Sequence, residues 1–540
     1  MTRRVKGSKP RSGEVARRIA ALSLLGLFGL QVLLTSRNTS PAFDEVAILP
    51  AGYLFLKTGT WRLIPEHPPL IPALCALPLL LLDPRLDLPD SSSTEGAIHA
   101  FRFGSRFIFK NNADQLLFWG RLPLLALSLL LGYVVYRWAR ELYGGNAGLM
   151  ALTLYAFCPS LIAHAGFTSH DIGVACFFTL SLYSLWRLLA DGRWPRLLLT
   201  GILLGCALAS KTTAVILLPA FATLLMLAAW HPSARHLVPS GRHPLLPATR
   251  ALQQRLRWSL VALGLMVLIA FALLYAVYLF PKDPLFYVKA IVRAPRLHAS
   301  NSSYYLMGEF RTEGWWYYFL VAYALKTPLP MLLLIPLAIW HWRRQNDGWF
   351  DEVFLLLPAI TLLALISAMA DALGVRYILA IYPLLFIFVS RTVTLFSASR
   401  GWAVVGIILA IWYLSTPIRI YPDYLAHFNE LVGGPKHGIE YLDDSNIDWG
   451  QNLKRLKHYL DGREFGRVKL LYVGTGWPRY YRIHAEPFPL TAMGRRPEPG
   501  IYIISAQALV WARADFGMDW LKEYELLDVI GYSFYVFRIR

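Results

Sequence analysis

The chain has 540 residues, 56% of them hydrophobic and only 16% charged, with a net charge of +19. A soluble domain does not read so apolar, and the excess falls in separate runs of about 20 residues, the length that crosses a bilayer as a helix. Composition therefore excludes a soluble enzyme, run length excludes a transmembrane barrel, and the basic balance is assigned to cytoplasmic loops and anionic lipid, with no nucleic-acid partner expected.

Residues 1–18 are rich in Lys and Arg and lead into the apolar Ile19–Leu34. No A-x-A cleavage site follows, and more spans come later, so this is read as an uncleaved first helix with a cytoplasmic N-terminus. Span one, about 17–36, then exits outward and leaves the adjacent acids Asp44 and Glu45 outside. The stretch "HPPLIPALCALPLLLLD" is proline-rich and short, and is read as re-entrant or interfacial. Further spans are expected at about 116–136, 147–164, 171–190, 196–210, 211–230, 258–280, 315–340, 352–370, 375–391 and 401–417. That makes about eleven, with "RWARELYGGNAG", "HPSARHLVPSGRHPLLPATRALQQRLR" and "HWRRQND" as basic cytoplasmic loops. An odd count places the C-terminus outside.

From about Tyr421 the character changes. "VKLLYVGTG", "GIYIISA" and "YSFYVFRIR" read as strands, "WGQNLKRLKHYL" and "MDWLKEYELL" as helices. The expected fold is a polytopic α-helical membrane protein, with a transmembrane domain over 1–420 and a small extracytoplasmic α/β domain over 421–540.

Several motifs are ruled out. Cys75, Cys158, Cys176 and Cys206 lie in or beside apolar runs without a CxxC pair, and read as small core residues. There is no GxSxG, HExxH or P-loop, and "VGTGWP" lacks the third glycine of a dinucleotide fingerprint. "DDSNIDWGQNL" fails as a calcium loop because Trp449 stands at the glycine position and Arg455 at the terminal glutamate position. Asp444, Asn446 and Asp448 are read there as helix caps, with acceptor binding as the alternative. "NTS" at Asn38 and "NSS" at Asn301 are sequons only in a glycosylating compartment. Two expected outer segments are basic: "FRFGSRFIFK" with Arg102, Arg106 and Lys110, and 281–314 with Lys282, Lys289, Arg293, Arg296 and Arg311. They read as solvated loops or as a surface that attracts anionic lipid head groups.

Polar residues recur at span ends: Asp44, Glu45, Glu66, His67, His164, His170, Asp171, Lys211, Lys326, Arg376 and Tyr377. Singly each can be a cap or a snorkelling residue. As a set, ionisable groups that would be costly against lipid point to a functional cavity. External acids, nearby cations and a hydrophobic groove suit sugar transfer from a polyprenyl phosphate whose tail stays in the bilayer. A carboxylate would be general base to an acceptor hydroxyl, and cations would offset charge on the leaving phosphate.

The motifs "FDEVAILPAGYLFLKTG", "EHPPL", "LYGGNAGLMALTLYAFCPSLIAHAGFTSHD", "GCALASKTTAVILLP" and "VRYILAIYPLLFIF" occur in that order. Over roughly 15–420 the chain resembles the GT-C glycosyltransferases of the protein O-mannosyltransferase family (glycosyltransferase family 39) and the related aminoarabinose lipid A transferases. The tail "YLAHFNELVGGPKHGIEYLDDSNIDWGQNLKRL" resembles that of bacterial members and departs from the eukaryotic enzymes, which carry an internal luminal β-trefoil. The resemblance implies inverting transfer at the outer face of the plasma (inner) membrane. It matches Asp44 to the catalytic acid, here the general base, with Glu45 supporting it or holding the acceptor, and Asp171 to a second acid. It matches Arg376 to a residue contacting the donor phosphate, with Lys211 and Lys326 as further candidates. His67 stands where a phosphate-contacting Lys is found, and Glu66 where a metal-contacting Glu is found. His298 is a further candidate metal ligand, which makes a divalent ion a candidate cofactor, and His170 and Tyr377 are candidate substrate-binding residues. Expected partners are a polyprenyl-phosphate sugar, membrane lipids and a protein, glycan or lipid acceptor. A transporter or flippase for a lipid-linked sugar is the alternative, and a non-catalytic scaffold a third reading.

Overall fold

The computed structural model describes all residues except 1–11, 88–96, 231–251, 297–302, 346–348, 464, 466–467, 489–497, 516–520 and 522. Among the described residues seven helices are long and apolar enough to cross a membrane: Gly13–Arg37, Ala113–Tyr143, His170–Asp191, Thr212–Trp230, Leu252–Val277, Phe350–Met369 and Arg400–Ile420. Two bent pairs raise this to nine if each is one span. Gly145–Ala156 and Pro159–Ala165 meet at 64°, and Tyr318–Lys326 and Leu329–Arg344 at 111°.

Each of the eleven expected spans has helix at its place, but four are not simple spans. Trp194–Leu208 and Ile381–Phe396 are short apolar helices. The first, with 15 residues, reaches only about 22 Å against a hydrocarbon core of about 30 Å. The other two are the bent pairs. At the sharper bend Thr327 is extended and Pro328, which has no N–H to continue a helix, precedes the second piece. The proline-rich 70–82 stretch is a short helix broken near Leu77, as a re-entrant or interfacial segment would be.

Helix Glu45–Thr58 carries the acid pair at its start, and its neighbours approach it closely. A Cβ on Gly52 would lie 2.0 Å from the Pro72 carbonyl oxygen, and one on Gly104 1.7 Å from that of Val46. Small residues thus let Leu70–Ala76 and Ala97–Lys110 clamp the helix backbone to backbone, the packing logic of membrane helices. Val46, Leu49 and Tyr53 complete the contact with Ile71, Cys75, Phe107 and Ile108. Arg102, Arg106 and Lys110 stay exposed on helix Ala97–Lys110. The 281–314 loop contains helix Phe286–Arg296 and a hairpin of β1 (Tyr304–Leu306) and β2 (Glu309–Arg311). His298 and Asn301 lie outside the described residues.

After Ile420 the chain runs through short 3₁₀ turns from Tyr424 to Asn446. These bond into the helical body: Asn429 N–H donates to the Leu325 carbonyl and Phe43 N–H to that of Trp449. Helix Leu453–Asp461 follows, then five strands: β3 (Val468–Leu471), β4 (Glu486–Pro487), β5 (Gly500–Ser505), β6 (Glu525–Ile530) and β7 (Phe534–Ile539), in sheet order β4-β3-β5-β7-β6. β3 is parallel to β4 and β5, and β7 is antiparallel to β5 and β6. Helix Ala506–Asp515 leaves β5. The small α/β unit is therefore present, with one correction. The last three residues of "MDWLKEYELL", 525–527, belong to strand β6 through ladder pairing with β7, while 518–520 and 522 lie outside the described residues.

Candidate active site

Asp44 and Glu45 stand at the start of one helix, where the dipole and free N–H groups favour carboxylates. Their side chains part. Glu45 is fully buried and forms a two-pronged pair with Arg121, from Nε at 2.8 Å and Nη2 at 2.5 Å. It also accepts the backbone N–H groups of Ala42 at 2.9 Å and Thr168 at 2.6 Å. The rest of the Arg121 guanidinium donates to Ser36 O, Thr39 Oγ1 and Ser40 O. Glu45 is thus a knot tying the 36–45 loop to two helices, and does not face the cavity described next.

Asp44 makes no capping bond, and its carboxylate turns into a cavity of about 380 Å³. The cavity collects Glu66, His67, His170, Asp171, Lys211, Arg376 and Tyr377 from separate stretches of chain. Arg376 Nη1 donates to Asp44 Oδ2 at 2.6 Å and lies 3.7 Å from Asp171 Oδ2. Lys211 Nζ donates to Asp171 Oδ1 at 2.6 Å, and its ammonium sits 4.3 Å above the Tyr377 ring. Asp171, in the first turn of its helix, is thus clamped by both cations and 2% exposed, whereas Asp44 is 28% exposed. Of the two, Asp44 is the carboxylate open to a substrate. Ile48, Ile64, Ile291, Ile366 and Met369 give the cavity an apolar lining as well.

The histidines are paired, with ring centroids 4.6 Å apart. His170 Nδ1 faces the Ser210 carbonyl at 3.0 Å, which can only accept, so Nδ1 carries the proton and Nε2 is left as an acceptor. Desolvation by burial holds the His67 pKa well below that of an ordinary imidazole. His67 is therefore neutral near pH 7 and brings hydrogen-bonding capacity to the cavity, not a positive charge. Burial opposes the charge on Arg376, and Asp44, Tyr377, Asp171 and Asp444 together outweigh it, so the guanidinium stays charged.

Lys326 is not brought to the cavity. It is 2% exposed and donates to Leu425 O at 2.7 Å and Asn446 O at 2.5 Å, so tail carbonyls satisfy its charge. His164 is buried against Trp449, outside the cavity wall. Glu66 lies in the wall, but among the described residues no three His, Cys, Asp or Glu side chains are grouped to hold a metal. Among the described residues the donor set around Glu66 is incomplete for a metal ion, and His298, the other candidate ligand, lies outside them.

Sequence reasoning missed Arg121, the partner of Glu45. The available signal was a lone arginine within an apolar span, an expensive residue that demands a partner. It also missed Asp371, which lines the cavity and accepts from the Tyr304 hydroxyl.

The family model for dolichyl-phosphate-mannose-protein mannosyltransferase matches residues 108–253. No curated protein sequence matches the chain. Among solved structures the fold is similar to ArnT from Cupriavidus metallidurans. In the apo state it aligns with a TM-score of 0.52 at 13% identity, covering 97% of this chain and 98% of that one. Bound to undecaprenyl phosphate it aligns with a TM-score of 0.50 at 13% identity, covering 96% and 97%. At that identity the likeness shows the fold alone, one shared with ArnT over nearly the whole length of both chains. The resemblance read from the motifs stands on these two findings.

Proposed function

From a GT-C fold with a mannosyltransferase-family segment, we propose that this protein is an inverting glycosyltransferase. It moves a sugar from a polyprenyl-phosphate donor to an acceptor hydroxyl at the outer face of the plasma membrane. Residues 1–420 form the catalytic domain and 421–540 an extracytoplasmic domain. The observation that carries the reading is one carboxylate, Asp44, open to a cavity that Arg376 and Lys211 line together with apolar side chains. That ArnT was solved with undecaprenyl phosphate supports the same donor class here.

In this reading the phosphate takes Arg376 and Lys211, with His67 or Tyr377 donating a neutral bond, and the prenyl tail follows the apolar lining to the bilayer. Asp44 takes the acceptor O–H proton. The acceptor oxygen attacks the anomeric carbon from the face opposite the phosphate. The C–O bond to phosphate breaks, and polyprenyl phosphate leaves with the bonding pair. Because Asp44 holds Arg376 at 2.6 Å, an incoming phosphate competes with it for the guanidinium. Asp171 keeps Lys211 and Arg376 in place.

The test is transfer from radiolabelled polyprenyl-phosphate sugars to an envelope extract by purified wild type and Asp44→Asn. Label should reach an acceptor with wild type and fall roughly 10²–10⁴-fold with the variant, the usual worth of a general base. Donor crossing vesicle membranes without being consumed, equally with both proteins, would instead make the protein a flippase.

A further inference from the structure

The tail segment "DDSNIDWGQN" does not fit a calcium loop, and Asp444, Asn446 and Asp448 do not cap the helix that follows, whose N-cap residue is Asn452. The segment touches both halves of the cavity's central ion pair. On the cation side, Asn446 Oδ1 accepts the Val375 N–H at 3.0 Å, and Ser445 Oγ donates to the Leu373 carbonyl at 2.5 Å. The fit is so close at Gly374, with φ +141°, that a Cβ there would lie 2.3 Å from Ser445 Oγ. Arg376 follows two residues later, its guanidinium carbon 4.5 Å above the Trp449 ring. On the carboxylate side, the Trp449 carbonyl accepts the Phe43 N–H at 2.8 Å, one residue before Asp44. Ser40 N–H donates to the Gln451 carbonyl, also at 2.8 Å. Trp449 is 3% exposed, and its own N–H is taken by Gln451 Oε1, so it is held rigidly.

We infer that this tail segment is a working part of the active site, in which Trp449 and Asn446 are positioning residues that set Arg376 against Asp44. The inference rests on the reading of Arg376 as the phosphate-side cation. The Trp449 face fixes the guanidinium plane, as cation–π contacts do when desolvated. The Trp449 carbonyl fixes the loop that ends at Asp44. One rigid residue thus sets the distance between base and leaving-group cation, which a catalytic geometry needs within fractions of an ångström.

The experiment uses the full-length protein in detergent with tritiated polyprenyl phosphate, the carrier without its sugar, as probe. Trp449→Leu and Trp449→Phe are measured alone and combined with Arg376→Ala. Trp449→Leu should weaken carrier binding about tenfold, and Trp449→Phe should recover it to within about threefold of wild type. In the Arg376→Ala background Trp449→Leu should add less than about twofold, since the two act as a unit. Wild-type binding by Trp449→Leu, or a loss that adds in full to that of Arg376→Ala, overturns the inference. If Trp449→Leu does not fold, the same cycle is run with Trp449→Phe, whose smaller loss must vanish without Arg376. Trp449-dependent carrier binding by a wild type that transfers no sugar would refute the glycosyltransferase reading and leave the positioning role standing. Sugar transfer that is indifferent to Trp449 would do the reverse.

Discussion

Glu45→Gln separates the two roles open to the second acid. The amide keeps the shape, but its single oxygen can accept from only one of Ala42 and Thr168, which bond different carboxylate oxygens, and it removes the charge paired with Arg121, which is 4% exposed. What remains is a buried guanidinium held by neutral oxygens of Ser36, Thr39 and Ser40. Breaking a buried pair from one side costs about 3–5 kcal/mol. With an unfolding entropy of about 2 cal/mol/K per residue, the whole chain would lose about 1.1 kcal/mol per degree, which converts that cost to a fall in Tm of about 3–5 °C. The fall is larger if only the helical bundle near the knot unfolds cooperatively. Thermal unfolding in detergent, read beside transfer activity, is the assay. The expected result is lower Tm with activity that recovers on cooling, whereas Asp44→Asn should keep Tm and lose activity. A Glu45→Gln protein with wild-type Tm and no activity would refute this reasoning and return Glu45 to the chemistry.

Arg376→Lys keeps the charge but loses the planar fork and its fit on Trp449 at 4.5 Å; kcat/KM for the donor should fall at least about tenfold in a transfer assay. Lys211→Met should raise donor KM by roughly ten- to a hundredfold, the worth of one hydrogen bond to a charged group, measured by titrating the polyprenyl-phosphate sugar. Burial first, and then Asp444, push the Asp443 carboxyl up to about 8. A folded pKa above the unfolded one means the folded state binds the extra proton. Stability should therefore fall with rising pH by up to about 1.4 kcal/mol per unit, between the ordinary carboxylate range and about pH 8, and level off above. Asp443→Asn should flatten the decline in Tm between about pH 6 and 8, and an unchanged slope would show that Asp443 is not its source.

What could be read from the sequence was what is written locally. The spans follow from runs of apolar residues, and the acids at their ends stand out because an ionisable group beside lipid needs a reason. Asp44, Asp171, Lys211 and Arg376 were visible as a set for that reason. Which of two adjacent acids faces the substrate was not, because successive residues at a helix start point about 100° apart and only the fold says which direction is the cavity. Arg121 lies 76 residues from Glu45, and their pairing leaves no periodic trace. Lys326 was misread because its partners are backbone carbonyls of the tail, Leu425 and Asn446, and a carbonyl acceptor has no sequence signature. The bends at Cys158-Pro159 and Thr327-Pro328 were legible as prolines, but their angles of 64° and 111° are set by what packs into the bend.

The central ion pair carries the last step of the argument. Asp44, Asp171, Lys211 and Arg376 sum to no net charge, which makes four ionisable groups tolerable at the membrane edge. In the proposed reaction a phosphodiester arrives with one negative charge and draws on Arg376. As the acceptor proton passes to Asp44, that carboxylate becomes neutral. As the sugar departs, the phosphate gains the charge Asp44 has lost. Arg376 contacts the source of this charge at 2.6 Å and, in this reading, its destination. It need not move far while negative charge crosses from one side of it to the other. A preorganised cation stabilises a transition state most when the moving charge never leaves its reach. The guanidinium must then be fixed in plane and place rather than merely present, which is why its stacking on Trp449 matters as much as its charge.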